Sequence, residues 1–366
     1  ETYLNAPQSH RGFYLFMENH PIVNERFIYT NWDEFKDDVP NVFIDILYKF
    51  EKANRKKFEG GLVPIFFGYK TLNSNIHWQA AILEIGKFPI HGIPERVDGV
   101  KTGNWIGEFV SEEINWAITR DSSYRFFFGR GSLHHKLADS KILIIGIGAV
   151  GSMVAKALTK GGCRQIDLAD YDIKNPENVC RSEYVFATGV GDKIEDLPGV
   201  LFTDSPFLNI SIFNKKCFED FIKGFYDRDP EIESILISIL NSYDFVFDCT
   251  TDDDLMFVLN SLKLNAKLIN ISITNHAKHL ICAFYPNIYH FVRTQIDEIL
   301  DHDPVDLYEP LGCWSPTFKA SYTDINLLVQ YAIKQIEYKY ETDRDPNNFV
   351  LSIQNENNFG VFLKEF

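Results

Sequence analysis

The chain has 366 residues, 45% of them hydrophobic and 14% aromatic, which excludes a disordered or low-complexity protein and predicts two domains or one elaborated domain. Its 51 acidic and 36 basic side chains give a formal net charge of -15, which argues against nucleic acid and anionic membranes as partners. Its apolar runs fall well short of the roughly 18 residues that a membrane span needs, so we expect a soluble protein.

Six cysteines are scattered through the chain, without the paired CxxC spacing of a structural zinc site. We interpret them as free thiols, which are typical of a reducing compartment and predict a cytoplasmic protein. The sequence begins at Glu1 rather than Met and has no charged-then-apolar leader, so we expect the natural chain to extend further at its N-terminus.

Residues 1–135 contain no cysteine, are rich in aromatic side chains and predict a small mixed α/β domain. In chain order, the patterns indicate a helix at Val42–Lys56, strands at Leu62–Tyr69 and Ile76–Ile85, and turns at Pro89–Pro94 and Asp98–Asn104. The glycine-bearing stretch Gly129–Ser132 marks a joint, because the character of the sequence changes beyond it.

From Lys141 onwards, strand and helix patterns alternate. Strands are predicted at Lys141–Ile145, Gln165–Asp170, Asp244–Cys249, Lys267–Ile273, Leu280–Phe284 and Phe349–Ile353, and helices at Ala149–Lys160, Glu231–Asn241, Asp252–Leu264 and Ser321–Tyr340. This alternation predicts that residues 136–366 form a doubly wound α/β domain with a mostly parallel, Rossmann-like sheet.

A glycine pattern, Gly146-Ile-Gly148-Ala-Val-Gly151, lies where the first of these strands ends and a helix begins. The glycines allow a tight turn and a close backbone approach, and the helix N-terminus offers free N–H groups to a phosphate. Asp170 ends the next strand, where a carboxylate can accept hydrogen bonds from ribose hydroxyls. These features alone fit an NAD(P)-dependent oxidoreductase equally well.

Further charged residues favour a triphosphate over a dinucleotide. Arg181 and Lys193 follow Asp170, and cations near a glycine loop can neutralise the charge that builds up when an α-phosphate is attacked. Asp248 lies at the carboxyl end of a later strand, where it could hold Mg²⁺ against the phosphates. The sequence therefore predicts a site for Mg-ATP.

The spacing of these residues resembles that of the ThiF/MoeB/HesA superfamily of ubiquitin-activating-type enzymes, over roughly residues 140–340. The resemblance implies a nucleotide site formed by Gly146, Gly148, Gly151, Asp170, Asp172, Asn178, Arg181 and Lys193, with Mg²⁺ on Asp248. It also implies that Arg181, Lys193 and Asp248 take part in catalysis. Ala149 and Ser182 depart from the usual pattern, and the missing zinc cysteines argue against a simple sulfur-carrier role.

Cys313 is the candidate nucleophile, because it lies in a Gly/Pro-bearing loop just before a long helix. The string Gly312-Cys-Trp-Ser-Pro-Thr-Phe318 is similar to that of bacterial ThiF-type proteins encoded in CBASS antiphage systems. This resemblance implies adenylation of a C-terminal, glycine-type carboxylate of a ubiquitin-like protein or cGAS-like nucleotidyltransferase. A thioester on Cys313 and transfer to a ubiquitin-conjugating domain, commonly fused upstream, would follow. A loop-anchoring cysteine is the structural alternative.

Residues 1–135 cannot be a thiol-dependent conjugating domain because they lack cysteine. The resemblance instead implies an accessory, inactive-adenylation-like domain that supports a homodimer. It also implies that Arg130 reaches ATP, in some relatives that of the partner subunit, although a linker charge is the simpler alternative. We expect the acidic run Asp252–Asp254 to cap the start of a helix.

The individual assignments each have a structural alternative. Asp170 and Asp172 could be strand-end and cap residues, Arg181 and Lys193 solvated charges, and Asp248 a helix N-cap. Two other functions also remain open. An NAD(P)-dependent oxidoreductase would leave Arg181 and Lys193 unexplained, and a non-catalytic adenylation-fold scaffold would not need them.

Overall fold

The computed structural model divides the chain into two compact units, Glu1–Ser123 and Tyr124–Phe366. The structure describes residues 12–18, 20, 28–36, 38–71, 76–213, 217–300, 319–342, 344, 346–354 and 359–366. The division lies N-terminal to the boundary that the sequence suggested at residue 135. Among the described residues, no helix combines the length and apolarity needed to cross a bilayer.

The first unit is built on a small sheet and a hairpin. Its elements are β1 (Phe13–Met17), a 3₁₀ turn (Trp32–Phe35), α1 (Asn41–Asn54), β2 (Leu62–Lys70), β3 (Ile76–Glu84), β4 (Ile90–Val97), β5 (Val100–Phe109) and β6 (Trp116–Ala117). The sheet order is β1-β2-β3-β6, and β4 pairs with β5. Stacked aromatic rings fill the core, with Phe35 lying 4.1 Å from Tyr29 and 4.7 Å from Phe67 between centroids.

The turn predicted at Pro89–Pro94 is wrong, because Ile90–Pro94 lie in β4, and the turn predicted at Asp98–Asn104 is confirmed only at its first two residues, because β5 begins at Val100. The hairpin closes at Asp98 and Gly99, which have φ angles of 51° and 80°. An Asp-Gly pair with positive φ at both residues is the usual two-residue connection of a twisted hairpin.

The second unit alternates strands and helices. Its elements are α2 (Tyr124–Phe128), α3 (His135–Ala138), β7 (Lys141–Ile145), α4 (Ala149–Lys160), β8 (Gln165–Ala169), β9 (Ile173–Lys174), α5 (Pro176–Val179), β10 (Gly191–Asp192), α6 (Lys193–Asp204), α7 (Cys217–Tyr226), α8 (Pro230–Leu240), β11 (Phe245–Asp248), α9 (Asp253–Ser261), β12 (Lys267–Thr274), β13 (His279–Phe284), α10 (Tyr289–Ile299), α11 (Tyr322–Glu341), β14 (Phe349–Gln354) and β15 (Gly360–Glu365).

The main sheet has the order β15-β14-β13-β12-β11-β7-β8. The four strands β8, β7, β11 and β12 are parallel, as predicted, and β13, β14 and β15 extend the sheet antiparallel. The connection between β12 and β13 is a tight turn, which is too short for a crossover and can only join antiparallel strands. The doubly wound α/β fold is thereby confirmed.

The parallel strands are mostly apolar because helices cover both faces of the sheet. On one face, Ile142 and Ile144 of β7 pack with residues of α4, α6 and α11. On the other face, Leu143 and Ile145 pack with residues of α8, α9 and α10. These four side chains of β7 are each at most 3% exposed. The carboxyl ends of the parallel strands, and the loops that follow them, are therefore fixed from both sides.

Residues 124–138 belong to the second unit by their hydrogen bonds. The Tyr124 hydroxyl donates to the Gly162 carbonyl at 2.6 Å, and the Leu133 N–H donates to the Gly161 carbonyl at 2.8 Å. The His134 N–H donates to the Glu337 carboxylate at 2.7 Å. These bonds attach α2 and α3 to the end of α4 and to α11, which explains why the unit begins before the glycine-bearing joint.

Two helical glycines test how tightly the glycine loop is packed. A Cβ on Gly151 in α4 would lie 1.9 Å from the Gly146 carbonyl oxygen, whereas a Cβ on Gly199 in α6 would meet nothing within 4 Å. We expect Gly151→Ala to lower the free energy of unfolding by about 1–3 kcal/mol through overpacking. The same change at Gly199 should raise it by roughly 0.5–1 kcal/mol. Denaturant unfolding of both variants measures this, and equal effects would contradict the packing described.

Candidate functional site

The glycine loop joins β7 to α4 at the carboxyl edge of the parallel strands. Gly146 has a φ angle of 79°, and a Cβ there would lie 2.7 Å from Thr250 Cγ2 and 2.8 Å from Thr250 Cα. Gly148 precedes the first turn of α4, and a Cβ there would project into open space. The Tyr184 hydroxyl donates to the Ile147 carbonyl at 2.7 Å and holds the loop from behind. The loop thus leaves the N–H groups at the start of α4 facing a free volume.

Asp170 follows β8 and ties the glycine loop to the next turn. Its Oδ2 accepts from the Ile147 N–H and its Oδ1 accepts from the Asp172 N–H, both at 2.8 Å. Burial raises the pKa of the Asp170 carboxyl, while the Lys193 ammonium and these two N–H groups act in the opposite direction. Each carboxylate oxygen has two acceptor sites, so both can accept one further bond from ribose hydroxyls.

The ribbon formed by β9 and β10 brings Lys193 next to Asp172. Asp192 pairs with Ile173 across this antiparallel ribbon, so the residue after Asp192 lies beside the residue before Ile173. The Lys193 Nζ lies 2.5 Å from Asp172 Oδ2, and the lysine is only 7% exposed. A nearly desolvated ammonium interacts more strongly with a ligand anion than a solvated one does. The structure therefore brings together two of the predicted site residues, Asp172 and Lys193.

Two adjoining cavities, of about 200 and 240 Å³, open at this edge of the sheet. Both are lined by Gly148, Asp172, Lys193, Cys249 and Thr250. Because they share these residues, we treat them as two compartments of one cleft, which we call the first and second compartments. One of the shared residues, Gly148, is the N-cap of α4, and a helix N-terminus favours a phosphate group.

The first compartment has an apolar wall and an acidic rim. Phe218, Ile222 and Leu255 supply the apolar side chains, and Asp170 and Asp252 are among the acids. Phe218 and Ile222 belong to α7, an element that the sequence analysis did not connect to the site. An apolar slot beside a ribose-binding carboxylate suits the base and sugar of a nucleotide.

The second compartment contains the other predicted phosphate ligands. Asn178, Arg181 and Ser182 line it, together with Lys193. The Asn178 carboxamide oxygen accepts from the Asn175 N–H at 2.8 Å and caps α5. Arg181 is half-buried. The cations Lys193 and Arg181 thus both face this compartment, as a polyphosphate requires.

Asp248 is buried behind the cleft wall. It is 1% exposed and is absent from the lining of both compartments. Its Oδ1 accepts from the Thr250 N–H at 3.1 Å and from the Thr250 hydroxyl at 2.7 Å, and its Oδ2 accepts from the Asn270 amide at 2.9 Å. Burial raises the pKa of Asp248 against these hydrogen bonds. Metal binding by Asp248 remains a prediction.

Asp252 is a cleft carboxylate that the sequence analysis did not assign to the site. Its Oδ1 accepts from the Leu255 N–H at 2.9 Å, so the predicted helix-capping role is confirmed. Its side chain also lines the first compartment. Within the described residues, no group of three or more His, Cys, Asp or Glu side chains is arranged to hold a metal ion. Mg²⁺ usually takes one or two carboxylates and completes its shell with phosphates and water, so Asp252 and Asp172 fit it.

Of the two remaining predicted site residues, only Arg130 is among the described residues. Arg130 is exposed in the turn after α2 and does not line either compartment, so its contact with ATP remains a prediction. Cys313 lies outside the described residues. Of the described cysteines, Cys163, Cys249 and Cys282 are buried, which raises the pKa of each thiol, that of Cys163 to about 12. Such thiols are poor nucleophiles at neutral pH.

Comparison with known proteins agrees with this geometry. The ThiF family model matches residues 120–274. The chain is 25% identical over 317 residues to the ATP-dependent ubiquitin transferase-like protein Cap2 of Enterobacter hormaechei subsp. hoffmannii (strain UCI 50), covering 81% of this chain and 50% of that protein. It is 25% identical over 137 residues to a molybdopterin-synthase adenylyltransferase of Salmonella typhimurium, covering 37% of this chain and 49% of that protein.

The chain thus spans about half the length of both of these curated relatives. Among solved structures, Escherichia coli MccB with ATP aligns with a TM-score of 0.42 and 16% identity, over 63% of this chain and 64% of that one. The glycine loop, Asp170, Asn178, Arg181 and Lys193 all lie within the residues that the family model matches. The chain therefore resembles the ThiF family over residues 120–274, which confirms the resemblance predicted from the sequence.

Proposed function

We propose that this protein is an ATP-dependent adenylyltransferase that activates the C-terminal carboxylate of a protein or peptide. The observation that carries the proposal is the division of the cleft. An apolar slot that contains Asp170 adjoins a compartment that contains Arg181 and Asn178, and Lys193 and the N-terminus of α4 border both. A nucleoside triphosphate has the same division, with an apolar base at one end and several negative charges at the other.

The same observation disfavours an NAD(P)-dependent oxidoreductase. A dinucleotide needs a second nucleoside pocket beyond its pyrophosphate, whereas the second compartment here is lined by Asn178, Arg181 and Lys193. Those cations fit phosphate oxygens rather than a nicotinamide ring. The intact cations also distinguish the site from that of a degenerate scaffold, in which nothing would maintain them.

In the proposed reaction, a carboxylate oxygen of the substrate attacks the α-phosphorus, the bond to the β-phosphate oxygen breaks, and pyrophosphate leaves. The attacking carboxylate is already ionised, so the reaction needs positioning and charge stabilisation more than a base. Asp170 holds the ribose, the N–H groups of α4 hold the phosphates, and Lys193 and Arg181 stabilise the leaving charge. Bound Mg²⁺ would supply further charge neutralisation, held by Asp252 and Asp172.

A second step would use Cys313. Its thiolate would attack the acyl-adenylate carbonyl, the bond to AMP would break, and a thioester would remain. The name of Cap2, an ATP-dependent ubiquitin transferase-like protein, supports transfer to another protein. We therefore propose a ubiquitin-like protein or a cGAS-like nucleotidyltransferase as substrate, and a conjugating domain as acceptor. We also propose a cytoplasmic homodimer that functions in antiphage defence.

Nucleotide binding tests the site directly. We expect Mg-ATP at about 100 times its Kd to stabilise the protein by about 2.7 kcal/mol, and NAD⁺ to have no effect. Asp252→Asn keeps an N-cap residue, so it should preserve the unliganded Tm while reducing the Mg²⁺-dependent part of the shift. Asp253→Asn, which removes an exposed charge paired with Arg293, is the matched control. Thermal unfolding measures both, and a shift with NAD⁺ alone would contradict the proposal.

The role of Lys193 is tested by removing its charge. We expect Lys193→Ala to weaken ATP binding by about 10- to 100-fold, because a hydrogen bond to a charged group contributes about 1.5–3 kcal/mol. Lys160→Ala removes an exposed lysine that lies outside the cleft and should leave the Kd unchanged. Isothermal titration calorimetry with ATP compares the two. Equal affinities would show that Lys193 does not contact the phosphates.

The thioester step is tested at Cys313. With an activated partner protein, Cys313→Ala should retain ATP–pyrophosphate exchange and lose transfer to the acceptor, because only the second step needs the thiol. Cys180→Ala is the control, since Cys180 is exposed, follows α5 directly and donates its thiol to the Glu177 carbonyl. Retained transfer in the Cys313 variant would exclude the thioester assignment.

A further inference from the structure

A chain of hydrogen bonds runs beneath the floor of the cleft, from the middle of the sheet to the start of α9. The Ser272 hydroxyl donates to the Asn270 carboxamide oxygen at 2.8 Å, and the Asn270 amide donates to Asp248 Oδ2 at 2.9 Å. These three residues are at most 2% exposed. In so dry a setting, each acceptor must be matched by a donor, because an unpaired polar group is costly.

At its other end, this series of hydrogen bonds reaches the cleft wall through Thr250. The Thr250 hydroxyl donates to Asp248 Oδ1 and accepts from the Asp252 N–H at 3.1 Å. Thr250 lines both compartments, and Asp252 lines the first. Asp248 is therefore bonded to Thr250 directly and to Asp252 through the Thr250 hydroxyl, although Asp248 itself does not line the cleft.

The turn between them has a backbone that needs this support. Thr251 has a φ angle of 59°, which is unfavourable for a β-branched residue and persists only where the surroundings impose it. Asp248 accepts hydrogen bonds from both the N–H and the hydroxyl of Thr250, which is the residue just before this strained position. Thr250 also lies against Gly146, so displacement of the turn would move the glycine loop.

We propose that Asp248 is a positioning residue that fixes Thr250 and Asp252 against the glycine loop through its bonds to Asn270 and Thr250, and that it is not a metal ligand. The inference rests on the proposed nucleotide site. It assigns metal binding to the carboxylates of the cleft wall, Asp252 and Asp172. Asp248, the most buried carboxylate of the site, would only hold other residues in position.

Exchanging the two partners of the central bond provides the test. In Asp248→Asn, the new side-chain amide at position 248 faces the side-chain amide of Asn270, so two hydrogen-bond donors oppose each other. The turn at Thr250 is then no longer held in place. The double variant D248N/N270D moves the carboxylate one strand deeper. The amide oxygen at position 248 can still accept from Thr250, its amide can donate to the carboxylate at position 270, and that carboxylate can accept from Ser272. The hydrogen bonds are restored, but the charge has left position 248.

We would measure the Kd for ATP with Mg²⁺ and with EDTA, and the Tm without nucleotide, for the wild type and both variants. We expect Asp248→Asn to weaken Mg-ATP binding about tenfold or more, and D248N/N270D to return to within about threefold of wild type with a normal Mg²⁺ dependence.

The other outcomes overturn the inference in distinguishable ways. If both variants lose the Mg²⁺ dependence, position 248 is a metal ligand. If the double variant recovers its Tm but not its affinity, the network contributes only to stability. If Asp248→Asn binds Mg-ATP as the wild type does, Asp248 does not position the cleft. If the wild-type protein fails to bind nucleotide at all, the proposed function falls, and this inference falls with it.

Discussion

The cleft depends on the close contact between Gly146 and Thr250. The adjacent parallel strands β7 and β11 end side by side, with the Cys249 N–H donating to the Ile145 carbonyl at 2.8 Å, so the turns that follow them share one small space. A side chain at position 146 would overlap with Thr250, and only glycine lets both turns close. Because both turns close, Gly148 and Thr250 each line both compartments.

Charge is distributed unevenly along the cleft that results. The carboxylates of Asp170 and Asp252 line only the first compartment and Arg181 lines only the second, whereas Asp172 and Lys193 line both. The carboxylate of Asp170 stays compatible with burial because backbone N–H groups bind both of its oxygens. Hydroxyl donors of a sugar fit the carboxylates of the first compartment, and phosphate oxygens fit Arg181 and Lys193, so this distribution of charge favours one orientation of a nucleotide.

The elements nearest the glycine loop could be predicted from the sequence. Lys141–Ile145 and Ala149–Lys160 have the predicted bounds, since a strand buried on both faces is a continuous apolar run and the glycines end it sharply. The apolar wall could not be predicted in the same way. Phe218 and Ile222 lie far along the chain from the glycine loop, and only tertiary packing of their helix brings them to the cleft.

The two acids Asp248 and Asp252 show a different limit of sequence reasoning. Asp248 ends β11 and Asp252 follows four residues later, and this spacing does not reveal which of the two lines the cleft. The left-handed backbone at Thr251 reverses the chain between them, so that Asp248 stays in the sheet and Asp252 begins α9 at the cleft wall. A positive φ at threonine has no propensity signal, because the surrounding hydrogen bonds and not the residue type impose it.

The packing of α7 on α9 connects the base wall to this same turn. Phe225 meets Phe257 edge-on at 6.4 Å, and the Tyr226 hydroxyl donates to the Asp254 carboxylate at 2.9 Å. The helix that supplies the apolar wall is thus held by the helix that begins at Asp252. On the phosphate side, the fully buried Lys174 binds the Val185 carbonyl at 3.0 Å and anchors the loop that follows Arg181. The cleft therefore has two separately anchored sides, and their relative position depends on the turn at Thr250 where they meet.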